Sequence, residues 1–493
     1  MLRRNFLKAL GLLNVAGLWP ARAAERLDPT KATAASVRLT GTVTSAGRGL
    51  AGVAITDGFS VVPTDARGRY DFAAHSEARF VYLSLPAGHR VPHVNGLARF
   101  FEAIPPSQSV HTADFELQPS PESDVKHGFI VWADPQIRNK RHAELLLGTT
   151  TPDLKAFAQG FPRDYFHGLG CGDLVWDDLS LFPDYREAVA RTGLTFFNLI
   201  GNHDLDLSAR SDEGSSRTFL EHFGPAYFSF NRGKIHYVVL DDVFFLGGQK
   251  DNYVGYVTEQ QLAWLERDLA LVERGSTVIL NLHIPTHTHQ HVREQQAESR
   301  FHNVANRQRL YEVLQGYRLH IISGHTHCNE VIVGDAYTEH IHGAVCGAWW
   351  TGDICVDGTP NGYGVYDIDG DRIRRRYKAT GRGLDYQMRV YPPGRHPDYP
   401  DEACINLWDY DPSWKVRGLA DGVDLGAPVR RIAFDPLAID TLRGNKLPAS
   451  YPLAEPKLTD HLFFLKVPAG CRRLEVEAMD GSGAVYREAI VLA

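Results

Sequence analysis

Five apolar, strand-like runs, residues 127–134, 166–173, 194–201, 277–283 and 319–325, each end on or lead straight into Asp, Asn or His, and no other feature constrains the chain as tightly. Their closing clusters are Asp134-Pro-Gln136, Gly172-Asp173, Gly201-Asn202-His203-Asp204, His283 and Gly324-His325-Thr-His327. Runs this apolar read as strands buried on both faces. Helix-like segments at 182–191, 259–271 and 307–314 alternate with them, the signature of an α/β core. In open α/β sheets, ligands gather beyond the carboxyl ends of the strands, so the five clusters can converge. A purely structural core has no reason to finish strand after strand on carboxylates and imidazoles. Buried without partners these groups are costly, and a shared cation removes the cost.

Taken in order, Gly-Asp, Gly-Asn-His-Asp and Gly-His-x-His resemble the motif set of the calcineurin-like metallophosphoesterase family, which includes the purple acid phosphatases. The resemblance runs over residues 125–375. It implies a double-sheet sandwich flanked by helices, with a two-metal site at the loop end. Carried across motif by motif, Asp173 bridges both ions. Asp134, Gln136 and His327 complete the first metal's shell, and Asn202, His283 and His325 the second's. His203 stands outside both shells as general acid, with Asp204 orienting its ring. Mixed carboxylate and imidazole ligands suit Mn, Fe or Zn better than Mg or Ca. Two such ions activate a bridging hydroxide that attacks phosphorus in line while His203 protonates the leaving oxygen. The implied activity is hydrolysis of a phosphomonoester or phosphodiester.

Two positions depart from the family pattern. Gln136 stands where His is usual, a weaker donor that loosens the first site. Trp176 stands where purple acid phosphatases place a tyrosine ligand, so the tyrosinate-to-iron colour should be missing. Around the cluster, Arg138 is a candidate for holding the substrate phosphate or a plain surface arginine. Trp349, Trp350 and Tyr363 read equally as a substrate wall or as core aromatics. His287, His289 and His291 read as loop histidines, a second metal site being the other reading.

The 493 residues suggest about three domains, at roughly 150 residues each. Residues 36–120 alternate short β-type runs with turn residues. The spacing Gly41-x-Val43…Gly52-Val53-x-Ile55-x-Asp57-Gly58…Asp65-x-x-Gly68-x-Tyr70 resembles a small prealbumin-like β-sandwich, read as a spacer or stabilising module ahead of the other reading, partner or glycan binding. The catalytic domain is expected at 125–378 and a C-terminal β domain at 379–493. Asp367-Ile-Asp369-Gly-Asp371 lacks the downstream Glu of a calcium loop and reads as a hairpin turn. The expected fold class is therefore α/β with a β-sandwich-like domain on either side.

Residues 1–23 carry Arg3, Arg4, Lys8 and Arg22, no acids, a short apolar stretch and a small-x-small end, which makes a signal peptide. The order Arg-Arg-x-Phe-Leu-Lys resembles the twin-arginine export signal, and residues 24–35 read as a linker. The expected location is the periplasm or the outside of a bacterial cell. Formal charge is −7, and removing the four leader cations leaves −11, which argues against a general nucleic-acid binder. No run approaches a membrane span. Six cysteines allow 15 pairings, with Cys346–Cys355 or Cys404–Cys471 the bridges considered. The expected partner is a small-molecule or lipid phosphate ester. The competing reading is a metal-stabilised binding or cell-surface attachment protein whose turnover is weakened at Gln136. The intact His203-Asp204 pair counts against it, because a binding module has no use for a leaving-group acid.

Overall fold

The strand Lys126–Trp132 shows how the core is built. Alternate side chains leave a strand on opposite faces. Phe129 and Val131 point into a core shared with a second sheet, while Ile130 and Trp132 pack under helices. The unbroken apolar run from Phe129 to Trp132 follows from having no wet face. The computed structural model describes residues 37–106, 108–443 and 454–492. The expected export signal and linker lie outside the described residues.

Seven strands form the first sheet, in the spatial order Arg372–Ala379, Gly362–Asp369, Lys126–Trp132, Phe166–Cys171, Phe196–Leu199, Leu97–Ala98, His93–Val94. Its three central strands are parallel. Six strands form the second: Phe228–Arg232, Ile235–Val239, Thr277–Asn281, Arg318–Ser323, Tyr337–Ile341, Glu330–Val333. Four consecutive members of it are parallel. The sheets face each other through aromatic side chains, with Phe197 stacked on Phe230 at 3.9 Å. Helices Lys140–Gly148, Thr150–Ala158 and Phe182–Thr192 cover the outer face of the first sheet, and Glu259–Leu269 and Arg307–Val313 that of the second. The architecture is thus α/β, two sheets between two helical layers.

On the N-terminal side, a five-stranded sheet around Arg38–Ser45 and a four-stranded sheet around Ala54–Thr56 form a β unit. Leu39, Val43, Ile55 and Leu83 belong to the same continuous core as Phe129, Phe197 and Phe230. Leu97 pairs with Phe196 of the first sheet, and Leu85 forms a bridge to Phe230 of the second. Two four-stranded sheets follow residue 388 and enclose Ile405, Leu465, Val476 and Ala478. The run from Asp367 to Asp371 is a hairpin turn, with Gly370 at φ 68°. All six cysteines are free thiols, so neither of the bridges considered is present. Cys346 and Cys355 pack together in a small apolar cluster instead.

A buried ion pair ties the loop after His283 to the edge of the second sheet, beside the C-terminal β sheets. Arg293 and Glu330 are 4% and 3% exposed and meet at 2.9 Å, with Asp460 at 4.0 Å from Arg293. Burial alone would raise the Glu330 carboxyl; Arg293, His289 and Thr288 together hold it well below its ordinary range. Glu330→Gln should cost about 3 kcal/mol, because it strands a buried guanidinium. Urea denaturation at pH 7 measures this. A lowered carboxyl stabilises above its unfolded pKa and loses that contribution as pH falls, so the gap between the proteins should shrink in acid.

Candidate metal centre

The five strand ends converge. Asp173 follows its strand through Gly172, where a side chain would put a Cβ 2.3 Å from His283 Nδ1. Gly324 does the same ahead of His325, where a Cβ would sit 2.5 Å from Asp134 Oδ2. Asp134, Gln136, Asp173, His325 and His327 all have positive φ, between 38° and 68°. Left-handed backbone at non-glycine residues costs about 1–3 kcal/mol each and persists where surrounding structure over-determines it. Five such residues among the seven candidate ligands mark a place built for aim rather than for stability.

Three histidines are oriented alike. His283 Nδ1 donates to the Cys171 carbonyl (3.0 Å), His325 Nε2 to that of Phe301 (2.7 Å), and His327 Nδ1 to that of Gly347 (2.8 Å). Fixing one ring nitrogen on a carbonyl sets the tautomer and presents the other as a lone pair, the arrangement metal-ligating histidines adopt. Around His283 Nε2 lie Asn202 Oδ1 at 3.2 Å, His325 Nδ1 at 3.2 Å and Asp173 Oδ1 at 3.3 Å. Donor atoms of Asp173, His283 and His325 fall within 4.8 Å of one another. On the other side, Asp173 Oδ2 accepts from Gln136 Nε2 at 2.6 Å, and His327 Nε2 approaches Asp134 Oδ1 at 3.6 Å. The two oxygens of Asp173 thus face two separate donor groups.

Asp134 Oδ1, Gln136 Oε1 and His327 Nε2 are buried with no hydrogen-bond partner among the described residues. Buried polar atoms are nearly always satisfied, so three orphans in one place call for a common partner. A cation fits that donor set. Electrostatics agree: burial, with the Asp173 charge adding to it, pushes Asp134 up to about 7. His283 rises to about 10, Asp173 and Asp134 overcoming the effect of its burial. Burial keeps His327 neutral, down at about 4.

His203 lies beside this cage, its backbone N–H donating to Asp173 Oδ1 (2.8 Å) and its Nε2 3.9 Å from Asp173 Oδ2. Its orienting partner is not Asp204. The Asp204 carboxylate turns back and accepts from the backbone N–H groups of Gly201, Leu174 and Val175, holding two ligand loops together. Asp177 takes the expected role, bonding His203 Nδ1 at 2.7 Å and pairing in turn with Lys250. Burial works against a charged His203, yet Asp173 and Asp177 raise it above its ordinary value. Sequence reasoning passed over Asp177, although it lies four residues beyond Asp173 on the same loop.

Trp349 stacks on His327 at 4.5 Å and Trp350 donates to the Pro135 carbonyl, so both border the cage. Arg138 is exposed at its edge, 5.2 Å over the Trp176 ring. Tyr363 is not a wall residue. It is fully buried in the first sheet and donates to Asp153. His289 and His291 gather around His287 at 5.4 and 5.7 Å between ring centres, with His289 turned to Glu330.

Three family models match the chain: the N terminal of calcineurin-like phosphoesterase over residues 37–120, calcineurin-like phosphoesterase over 151–329, and the C terminal of calcineurin-like phosphoesterase over 339–486. A 142-residue stretch is 29% identical to purple acid phosphatase 15 of Arabidopsis thaliana, covering 26% of this chain. The match spans 24% of that relative's length. Similar solved structures include the purple acid phosphatase PPD1 of yellow lupin, Lupinus luteus (12% identity, 65% of this chain, 56% of that one, TM-score 0.36). PhoD is another (10% identity, 88% and 84% covered, TM-score 0.36).

Proposed function

The chain belongs to the calcineurin-like phosphoesterases, metal-dependent hydrolases of phosphate esters, and from that premise we propose that it is an exported two-metal phosphoesterase acting on a small-molecule or lipid phosphate ester. Asp134, Gln136 and His327 would hold one ion and Asn202, His283 and His325 the other, with Asp173 between them. Bound there, Mn, Fe or Zn would supply Lewis-acid polarisation of the phosphate and an acidified water. The protein's own part is to hold His203 protonated through Asp177, aimed past Asp173 at the departing ester oxygen. Arg138, Trp349 and Trp350 line the approach. Residues 36–120 and 379–493 would be accessory β domains around the catalytic one at 125–378.

The observation that carries this reading is the set of three orphaned buried atoms on Asp134, Gln136 and His327, opposite two further histidines, His283 and His325, each with one ring nitrogen fixed on a backbone carbonyl. Hydrolysis of a panel of phosphomonoesters and phosphodiesters by metal-analysed protein tests it. Metal-independent turnover, or none on any ester, would refute it. An intact His203–Asp177 pair speaks against a mere binding protein, which needs no proton donor.

Gln136 is the weak point of the cage, because its amide nitrogen faces Asp173 and its oxygen is the only group left to ligate. Gentle chelation should therefore remove one ion before the other, with activity falling at that first loss. Gln136→His should narrow the gap and Gln136→Ala widen it. Unchanged metal content in the Ala variant after identical dialysis would remove Gln136 from the ligand set.

Export rests on Arg3 and Arg4, read as a twin-arginine signal delivering the protein to the periplasm or cell exterior. Replacing both by Lys should leave full-length precursor in the cytoplasm, detected by fractionation. Normal export of that variant would overturn the assignment and leave the enzymology untouched.

A further inference from the structure

A second cleft, of about 790 Å³, opens at the opposite end of the first sheet from the metal cage. It lies where the strand Phe166–Cys171 begins, whereas Asp173 lies just past its end. At ~3.3 Å per residue, about 20 Å of sheet separates the two. Its walls come from the N-terminal β unit, from the loop 161–165, and from the hairpin strand that ends at Arg232.

Arg232 is the unusual member. It is half-buried, and its guanidinium donates to the Asp164 backbone carbonyl, to the Gly128 carbonyl at 3.4 Å and to His167 Nδ1 at 2.9 Å. No carboxylate pairs with it among the described residues. Of the two carboxylates whose charge reaches it, Asp124 and Asp164, the one that lines the cleft, Asp164, is engaged by Arg90 at 3.2 Å. His167 does not offset or add charge, since burial holds its ring neutral. Charges partly withdrawn from water are ordinarily paired, and a guanidinium hydrogen-bonded only to carbonyls and an imidazole keeps its positive field.

The remaining lining reinforces that field. Arg90, Lys155, Arg163 and Arg232 stand against two acids, Glu116 and Asp164, in a chain whose overall formal charge is −7. Lys155 and Arg163 are exposed and form no ion pair among the described residues. Beside the cations lies an apolar shelf: Phe161 and Tyr165 stack at 5.3 Å, with Pro92 and Leu194 nearby. Concave sites that combine an apolar wall with a few convergent charges are the usual form of a small-ligand pocket.

We propose that this cleft is a second ligand site, taking an organic oxyanion whose head sits on Arg232 and whose apolar body lies against Phe161 and Tyr165. A carboxylate and a phosphoryl group share the head chemistry that a guanidinium fork recognises. Nothing in the cleft reaches the metal cage, so occupancy need not compete with the substrate.

Calorimetric titration of metal-loaded, full-length protein with phenylacetate and, separately, with phenylphosphonate tests the proposal. At least one probe should bind at one site that is independent of the catalytic metals, and the stronger binder identifies the head group. Arg232→Met should weaken that binding about tenfold or more, the worth of a charge-assisted hydrogen bond. Lys155→Glu, at an exposed position that is safe for folding, should weaken it severalfold by reversing a charge at the rim. Both variants should keep wild-type phosphoesterase turnover. Failure of both probes to bind outside the metal site, or affinities unmoved by both substitutions, would overturn it.

Discussion

Asp173→Asn is expected to lower kcat by about 10³-fold or more and to leave at most one tightly held ion per chain. Its two oxygens face different donor groups, His283 Nε2 at 3.3 Å and the Gln136 amide at 2.6 Å, so it is the element the two halves of the cage share. A neutral amide cannot neutralise two cations at once. Losing one Lewis acid forfeits several kcal/mol of transition-state stabilisation, at about 1.36 kcal/mol per factor of ten. Metal analysis together with kcat on a nitrophenyl ester measures both effects. Two retained equivalents with near-normal turnover would exclude a bridging role. Metal binding should also strengthen as pH rises from about 5.5 to 8. Asp134, raised to about 7, and His283, raised to about 10, both have protons to shed before they can ligate. The metal-free protein runs the other way: a carboxyl whose folded pKa is raised, as that of Asp134 is, stabilises most in acid and loses that contribution as pH climbs through the folded value. The rise in Tm on adding metal should therefore be larger at pH 8 than at pH 5.5.

His203→Ala should leave both ions in place and slow esters with poor leaving groups by roughly 10²–10⁴, the usual contribution of a general acid. Nitrophenyl esters should lose much less, because nitrophenolate departs without a proton. Asp177→Asn should follow the same leaving-group pattern with a smaller loss. It should also move the basic limb of the pH profile to lower pH, since Asp177 helps to raise His203. Asp204→Asn should differ in kind: it weakens three backbone hydrogen bonds and so lowers stability, with no leaving-group dependence. Equal losses on both classes of ester for His203→Ala would remove it from the proton-donor role.

What could be read from the chain, and what could not, follows one physical line. Strands 166–171 and 277–281 are buried at every position because both faces are covered, and such mostly apolar runs announce themselves. The helices Lys140–Gly148 and Thr150–Ala158 went unseen. They are short, the second opens on two threonines, and the signal that starts the first is a single Asn139 cap bonded to His142 N. Site residues on the strand ends were legible as motifs. Asp177 was not, because Asp204 is the chain neighbour of His203 and chain adjacency says nothing about where a carboxylate turns in a tight loop. Tyr363 misled for a related reason. Flanked by Gly362 and Gly364 it resembles a loop residue, yet it sits in a paired strand with its hydroxyl on Asp153.

The N-terminal β unit touches the catalytic sheets where each would otherwise stop. Leu97 continues the first sheet beyond Phe196, and the Leu85 carbonyl takes the Asn231 N–H on the outermost strand of the second. Phe100 closes the gap between them, 4.6 Å from Phe228. An uncapped sheet edge is a template for strands of other molecules, and here two such edges flank a seam of aromatic side chains. Excising residues 37–120 would therefore not liberate a smaller soluble catalyst. It would turn two guarded margins into adhesive ones, and the shortened chain would meet its own copies before it met a substrate.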